Sequence, residues 1–419
     1  MTTSSVRSKF ANDIARIAFP DARAAIVART FALQSETLSL VAATGRVVAQ
    51  TYRAAEDIVP FARSAMDGYA LRSADTFGAS AGTPVTLPVV GASYAGDGHA
   101  LLAADHASVI TTGAMLPDGA DAVVPFEDID RIGETIVVRA PLVALDHVFE
   151  PGDDAKRGEI LVASGSLVSP GAAALLASAG FAQIAVTRRP RVAIVSTGNE
   201  IVAIEATPHL GQIRNSNTTM LAASLAADGA EVVFEEHVLD DADAVRATLV
   251  RAIASADLVI TTGGASTGDR DYVKATLRDL GAEFAFDSIA MRPSKPTAFA
   301  TLGSTAIAVL PGNPAAAFVA YVALVRGALR RMSGHDVAYR PYVDATLRGS
   351  IHRKANRHFL MFASLSVVGG RLEAIPLENQ CSSLVRTSAD ANVLIVVEPG
   401  SGTIASGDTI ACELIAPLI

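Results

Sequence analysis

Between Arg189 and Met332 the chain alternates short, fully apolar runs with glycine-containing turns and then helix-patterned segments. VAIVSTGNE, LVITTGGASTGDRDYVKATLRDLG and TAIAVLPGNPAAAFVAYVALVRGALRRM each have this form. Strands apolar on both faces and separated by helices require a parallel sheet covered on both sides. NSNTTMLAASLAADG supplies a further helix with Asn and Ser at its start, followed by the strand EVVFEEHVL. This pattern limits the fold more than any other feature. It also limits where a ligand can sit, because open α/β sheets bind beyond the carboxyl ends of their strands.

The turns at that edge are rich in acids. STGNE brings Glu200, VLDD brings Asp240 and Asp241, and GGASTGDRDY brings Asp269 and Asp271. Gly263 to Gly268 satisfies the first half of a P-loop, but Asp269-Arg270 stands where Lys-Ser/Thr should follow. A glycine nest of backbone N–H groups, Gly263, Gly264 and Ser266 among them, suits a phosphate. Carboxylates beside it make sense when a hard divalent cation lies between. The competing reading is that each acid caps a helix, since Asp in a first turn is favourable with no ligand present. LPGNP adds a rigid turn bounded by Pro311 and Pro314, and MRPSKP places Arg292 and Lys295 three apart on a proline-stiffened segment. Lysine is scarce here, five in the whole chain. A dinucleotide-binding dehydrogenase is opposed by the missing three-glycine fingerprint, and a P-loop ATPase by the missing Lys-Ser/Thr.

Around this region the texture differs. DARAAIVARTFALQSETLSLVAATGRVVAQ carries apolar residues at three-to-four spacing and is expected to be helical to about Gln50. Short β-type runs follow to about Asp146, then a mixed bridge in which Ser169-Pro170 starts a helix and Gly180 stops it. After Gly334 the pattern returns to β, as a barrel or sandwich. The expected architecture is a multidomain α/β chain. Residues 1–50 with 147–187 form a helical/mixed linking domain and 51–146 a small β-rich domain. Residues 188–333 form a three-layer αβα parallel-sheet domain, and 334–419 a C-terminal β-barrel-like domain.

With 50% hydrophobic and 18% charged residues and a net charge of −9, no nucleic-acid surface is expected. No membrane span is expected either, since Ala315 to Leu324 is about half the length a bilayer needs. The first residues are too interrupted by charge for a signal peptide. Cys381 and Cys412 make neither a disulfide framework nor a zinc set. A cytoplasmic protein with reduced thiols follows.

Taken in order, PFARSAMDGYAL, TTGAMLPDGADAVVPFED, PGDDAKRGEILVASGSLVSP, RPRVAIVSTGNEI, GQIRNSN, DLVITTGGASTGDRDYVK, MRPSKPTAF and LPGNPAAAF resemble the molybdopterin molybdenumtransferase family, of the MoeA and gephyrin E-domain type. The resemblance runs along nearly the whole chain. It implies a four-part, usually dimeric enzyme that inserts molybdate into adenylylated molybdopterin. The pyrophosphate link is hydrolysed with Mg2+ and AMP leaves. Molybdopterin adenylyltransferase is then the upstream partner. It further implies Asp67 as the catalytic acid, completing a cleft with the partner subunit, with Thr112 and Asp154 as further catalytic positions. Glu200, Asp240 and Asp271 are implied for metal and cofactor, with Gly263, Gly264, Ser266, Pro311 and Pro314 lining the cofactor site. Arg292, Lys295, Arg357, Ser382 and Ser383 are implied for molybdate. The chain departs from the family at Ala62, Val109, Phe149, Asn199 and Ser288, and reads PSKP for PGKP. Several departures remove positive charge, which leaves a catalytically weak cofactor carrier or scaffold as the alternative.

Overall fold

The structure, a computed structural model, describes residues 16–264 and 272–416. It divides into two compact units, one comprising Thr37–Ala185 and the other Met1–Glu36 with Val186–Ile419.

The first described helix, α1 (Phe19–Val27), starts on Pro20 and buries Phe19, Ala22 and Ile26. The helical periodicity expected to continue to Gln50 stops there. The Thr30 hydroxyl bonds the Ile26 carbonyl, and the Leu33 N–H is taken by the Met332 carbonyl at 2.9 Å. Backbone groups satisfied by distant partners override a weak local preference. Ser35–Ser39 is a strand, and only Leu40–Ala43 returns to helix.

In the smaller unit six strands form one sheet: β1 (Gly68–Leu71), β2 (Val85–Ser93), β3 (Ala107–Ile110), β4 (Ala122–Pro125), β5 (Asp130–Ile132) and β6 (Thr135–Val138), in the order β4-β1-β3-β2-β6-β5. Tyr69, Leu71, Leu87, Ile136 and Val138 pack into its core. Helix α2 (Pro170–Ser178) begins where the Ser169 hydroxyl accepts the Ala172 N–H, and ends before Gly180 at φ +83°.

The larger unit holds the alternating region. Its strands are β7 (Arg191–Thr197), β8 (Glu231–Val238), β9 (Leu258–Thr262), β10 (Glu283–Phe286), β11 (Met291–Arg292), β12 (Ala298–Leu302) and β13 (Thr305–Leu310). All but β11 form a sheet ordered β8-β7-β9-β13-β12-β10. The first four are parallel, and β12 and β10 extend them antiparallel. A tight turn at Gly303, φ +59°, joins β12 and β13 as a hairpin.

Alternate residues of each strand serve opposite faces. Val192, Ile194, Leu258, Ile260, Ala306 and Ala308 pack on one side with α3 (Ser216–Ala227), α6 (Pro314–Ala320) and α7 (Arg326–Met332). Ala193, Val195, Val259, Ile307 and Val309 pack on the other with α4 (Ala242–Ser255) and α5 (Tyr272–Asp279). Helices α6 and α7 are joined by a π turn at Tyr321–Val325, and Ala315 through Val325 are all buried. The most apolar helix of the chain is therefore a core element. No helix among the described residues is long and apolar enough to cross a membrane.

The C-terminal strands β14 (Val343–Leu347), β15 (His358–Val368), β16 (Arg371–Pro376), β17 (Val393–Val397) and β18 (Thr409–Leu414) close on themselves. Long β15 pairs with β17 through its first half and β16 through its second, completing the ring β15-β16-β14-β18-β17. The barrel interior contains Leu347, Leu365, Val393, Ile395 and Cys412. Strand β11 pairs with the start of β15, Met291 opposite His358 and Arg292 opposite Phe359. The fold class expected from the sequence, a covered α/β sheet with β-rich domains and a barrel-like C-terminus, is the one observed.

Candidate active site

All four parallel strands deliver a turn to one cavity of about 750 Å³. Gly198 and Glu200 follow β7, Asp240 follows β8, Gly263 and Gly264 follow β9, and Pro311 to Pro314 follow β13. The turns interlock by backbone contact. A Cβ at Gly263 (φ +89°) would run into the Thr197 carbonyl oxygen, and one at Gly312 would lie 3.3 Å from the Gly263 Cα. The glycines therefore let three turns close on each other. Asn217 of α3 ties them further: its Nδ2 donates to Thr262 Oγ1 and to the Gly312 carbonyl, both at 2.8 Å. Thr197, only 6% exposed, keeps an Oγ1 without a hydrogen-bond partner at this wall.

The acids divide between two roles. Asp241 caps α4, its Oδ1 accepting the Ala244 N–H at 2.9 Å, so the capping reading holds for that residue. Asp240 and Glu200 line the cavity instead, and among the described residues neither is in an ion pair. The Glu200 carboxylate lies over Gly198 (φ +144°), 2.7 Å from where a Cβ would stand. Asn199 carries no charge, yet its Oδ1 accepts the Asp240 N–H at 3.0 Å and joins the turn after β7 to the turn after β8. Ser266, Asp269 and Asp271 lie outside the described residues.

Of the positions implied for molybdate, Ser383 lines the cavity. Ser382 reaches the same turn: its carbonyl accepts the Ala315 N–H at 3.1 Å. Lys295 is exposed and immediately precedes Pro296, a lining residue. Arg292 and Arg357 are brought near each other by the β11–β15 pairing, which sets Met291 opposite His358. The Arg292 guanidinium stacks over Phe359, 5.2 Å from the ring centre, and Arg357 bonds Asn356. Among the described residues none of these three cations is in an ion pair. Neither Arg292, Lys295, Arg357 nor Ser382 is itself among the residues lining the cavity. Ser294, between the cations, sits at φ +82° and is 5% exposed, with its hydroxyl on the Ala316 carbonyl at 2.5 Å.

In the smaller unit SAMDGYA forms a tight presenting turn. The Ser64 hydroxyl bonds the Met66 carbonyl at 2.5 Å, and Gly68 is jammed against the Val124 carbonyl. Asp67 emerges exposed, its Oδ1 accepting the Thr112 N–H at 2.7 Å, so these two positions are brought together. Asp154 instead pairs with Arg63 at 3.2 Å, and the Arg63 guanidinium lies 5.1 Å from the Phe149 ring centre. Ala62 packs against the apolar cluster of Ala70, Ile110 and Val123.

Sequence reasoning missed part of the wall. Ser196, Arg214, Asn215, Ser216 and Asn217 all face the cavity. Asn215 caps α3 through the Thr218 N–H and also donates to the Ser196 hydroxyl, which contacts His237 Nδ1 at 3.2 Å. The signal was present in NSN at a helix start beside the strand ends. It reads as capping because Asn215 does cap.

Comparison with known proteins agrees with this architecture. Residues 17–180 match the family model of the MoeA N-terminal region (domain I and II), 193–331 that of a probable molybdopterin binding domain, and 344–415 that of the MoeA C-terminal region (domain IV). The chain is 33% identical over 389 residues to the molybdopterin molybdenumtransferase of Staphylococcus aureus (strain COL), covering 92% of each chain. Against that of Bacillus subtilis (strain 168) it is 32% identical over 387 residues, 91% of this chain and 90% of the other. The crystal structure of the molybdopterin biosynthesis moea protein from Pyrococcus horikosii matches with a TM-score of 0.81 at 28% identity, over 96% of this chain and 100% of that one. The chain therefore belongs to the MoeA family of molybdopterin molybdenumtransferases, enzymes of molybdenum cofactor biosynthesis.

Proposed function

We propose that the protein inserts molybdate into adenylylated molybdopterin, cleaving the pyrophosphate link with Mg2+ and releasing AMP. The observation that carries this reading is the convergence of four strand-end turns on one cavity, lined by Gly263 and Gly264 and by two carboxylates that form no ion pair among the described residues. Glu200 and Asp240 would hold the cation. Their oxygens suit a hard ion, and no cluster of three metal-ligating side chains exists among the described residues. Mg2+ fits such a site because it takes one or two carboxylates and completes its shell with phosphate oxygens and water. When bound, the cation supplies charge neutralisation and polarises the phosphoryl oxygens.

The remaining work falls to this chain's residues. Backbone N–H groups of the glycine turn face the phosphates. Arg292 and Lys295, without carboxylate partners among the described residues, receive the molybdate dianion, with Arg357 and the Ser382-Ser383 turn beside them. Asp67 acts as the catalytic acid. Its carboxylate is held by the Thr112 N–H at one oxygen only, which leaves the other for a proton or a water. Asp154, with Arg63, belongs to the same unit. A cytosolic homodimer supplied by molybdopterin adenylyltransferase, the enzyme type that makes an adenylylated substrate, completes the proposal.

The test is purified protein with adenylylated molybdopterin, molybdate and Mg2+. AMP release that requires molybdate supports the transferase. Tight substrate binding without AMP release would replace it with a cofactor carrier.

A further inference from the structure

Asn199 immediately precedes Glu200 in the turn after β7 and bonds the turn after β8 that carries Asp240. Its side-chain oxygen accepts the Asp240 N–H at 3.0 Å, and the amide, unlike a carboxylate, brings no charge to the cavity. It is exposed and belongs to neither core. The bond spans two turns, one carrying Glu200 and one carrying Asp240, and among the described residues no other side chain bonds the Asp240 N–H. A carboxylate at 199 could accept the same N–H, so what the amide adds is neutrality.

We infer that Asn199 is a neutral positioning residue for the cation: it fastens the Asp240 turn beside Glu200 while contributing no charge. Among the described residues the cavity then presents the cation with the charges of Glu200 and Asp240 and none from position 199. Oxygen-ligand sites tune their affinity by the number of charged ligands and by rigidity. With no charge added at 199 the cation is held less tightly alone, and more firmly once phosphate oxygens join its shell. A carboxylate at 199 would tighten the empty site and repel the phosphates that must enter it. The inference rests on the cation reading above and adds an order to it: cation and phosphate load together.

Binding of Mn2+ to the metal-free full-length protein, followed by the electron paramagnetic resonance signal of the free ion, tests this without turnover. Asn199→Asp keeps an acceptor for the Asp240 N–H and should lower the Kd for Mn2+ roughly tenfold. It should also weaken metal-free binding of inorganic pyrophosphate. Asn199→Ala loses the tie and should raise the Kd for Mn2+ several-fold, with a melting temperature unchanged to within about 3 °C. Equal Mn2+ affinities for wild type and Asn199→Asp would overturn the charge role, and equal affinities for wild type and Asn199→Ala the positioning role. Glu200→Gln and Asp240→Asn separate the two levels. If they abolish Mn2+ binding while both Asn199 variants are silent, this inference alone fails; if they too are silent, the cation reading fails with it.

Discussion

At the scale of single residues, close backbone approach explains more than side-chain chemistry does. Gly68 follows the exposed Asp67, and any Cβ there would strike the Val124 carbonyl. Gly68→Ala should therefore cost about 3 kcal/mol or more, read from chemical denaturation, because backbone must move to admit it. Ser294 is the opposite case, a non-glycine residue at φ +82° kept in place by its bond to Ala316. Ser294→Ala retains the unfavourable backbone and loses that bond, and should destabilise by about 1 kcal/mol. Asp67→Asn should leave the fold and Mn2+ binding intact while cutting AMP release by a factor of about 100 or more. Unchanged turnover would remove Asp67 from the mechanism. Arg292→Ala and Lys295→Ala should each raise the molybdate concentration needed for half-maximal AMP release. If neither does, the oxyanion sits elsewhere.

At the scale of elements, helix ends decide which polar groups remain for chemistry. Asp240 and Asp241 are adjacent and identical in type, so composition and spacing do not separate them, although the family resemblance points to Asp240. Only the geometry at the start of α4 shows that Asp241 satisfies an orphan N–H and Asp240 does not. The C-terminal end of α7 offers a different test. His335, whose N–H bonds the Arg330 carbonyl, has its pKa pushed down to about 4 by burial, with the charges of Arg330 and Arg340 adding to the effect. The folded state thus binds its proton less readily than the unfolded chain does. The stability this withholds is fully present above the ordinary histidine range and is lost as pH falls from about 6.5 towards 4. Denaturation midpoints should decline across that window, and His335→Gln should flatten the decline.

At the scale of the molecule, the α/β region was legible because strands buried on both faces have almost no freedom in composition. The alternation of Val192, Ile194 with Ala193, Val195 between two helix layers is written directly in VAIV. The C-terminal domain was legible as β and barrel-like, but not in how the barrel closes. Closure depends on one long strand, β15, changing partner midway, and nothing in HFLMFASLSVV marks that point. The N-terminal segment was misread as continuous helix because its spacing is helical, while its backbone groups bond to distant residues. The site was legible as acids and glycines on turns, and incomplete because Asn217 and Asn215 look like ordinary capping residues. In a sheet of this kind the wall formed by a helix start is as much a part of the site as the turns are.

The meshing of the turns at Thr197, Gly263 and Gly312 limits how this enzyme can change. Lengthening or substituting one turn displaces the other two, so their outline is inherited as a block. New selectivity has to come from side chains that approach that block from outside it, above all Asn217 on α3 and Ser383 near the barrel. A library confined to those flanking positions should yield folded variants with altered ligand preference, whereas one spread over the three turns should yield mostly misfolded protein.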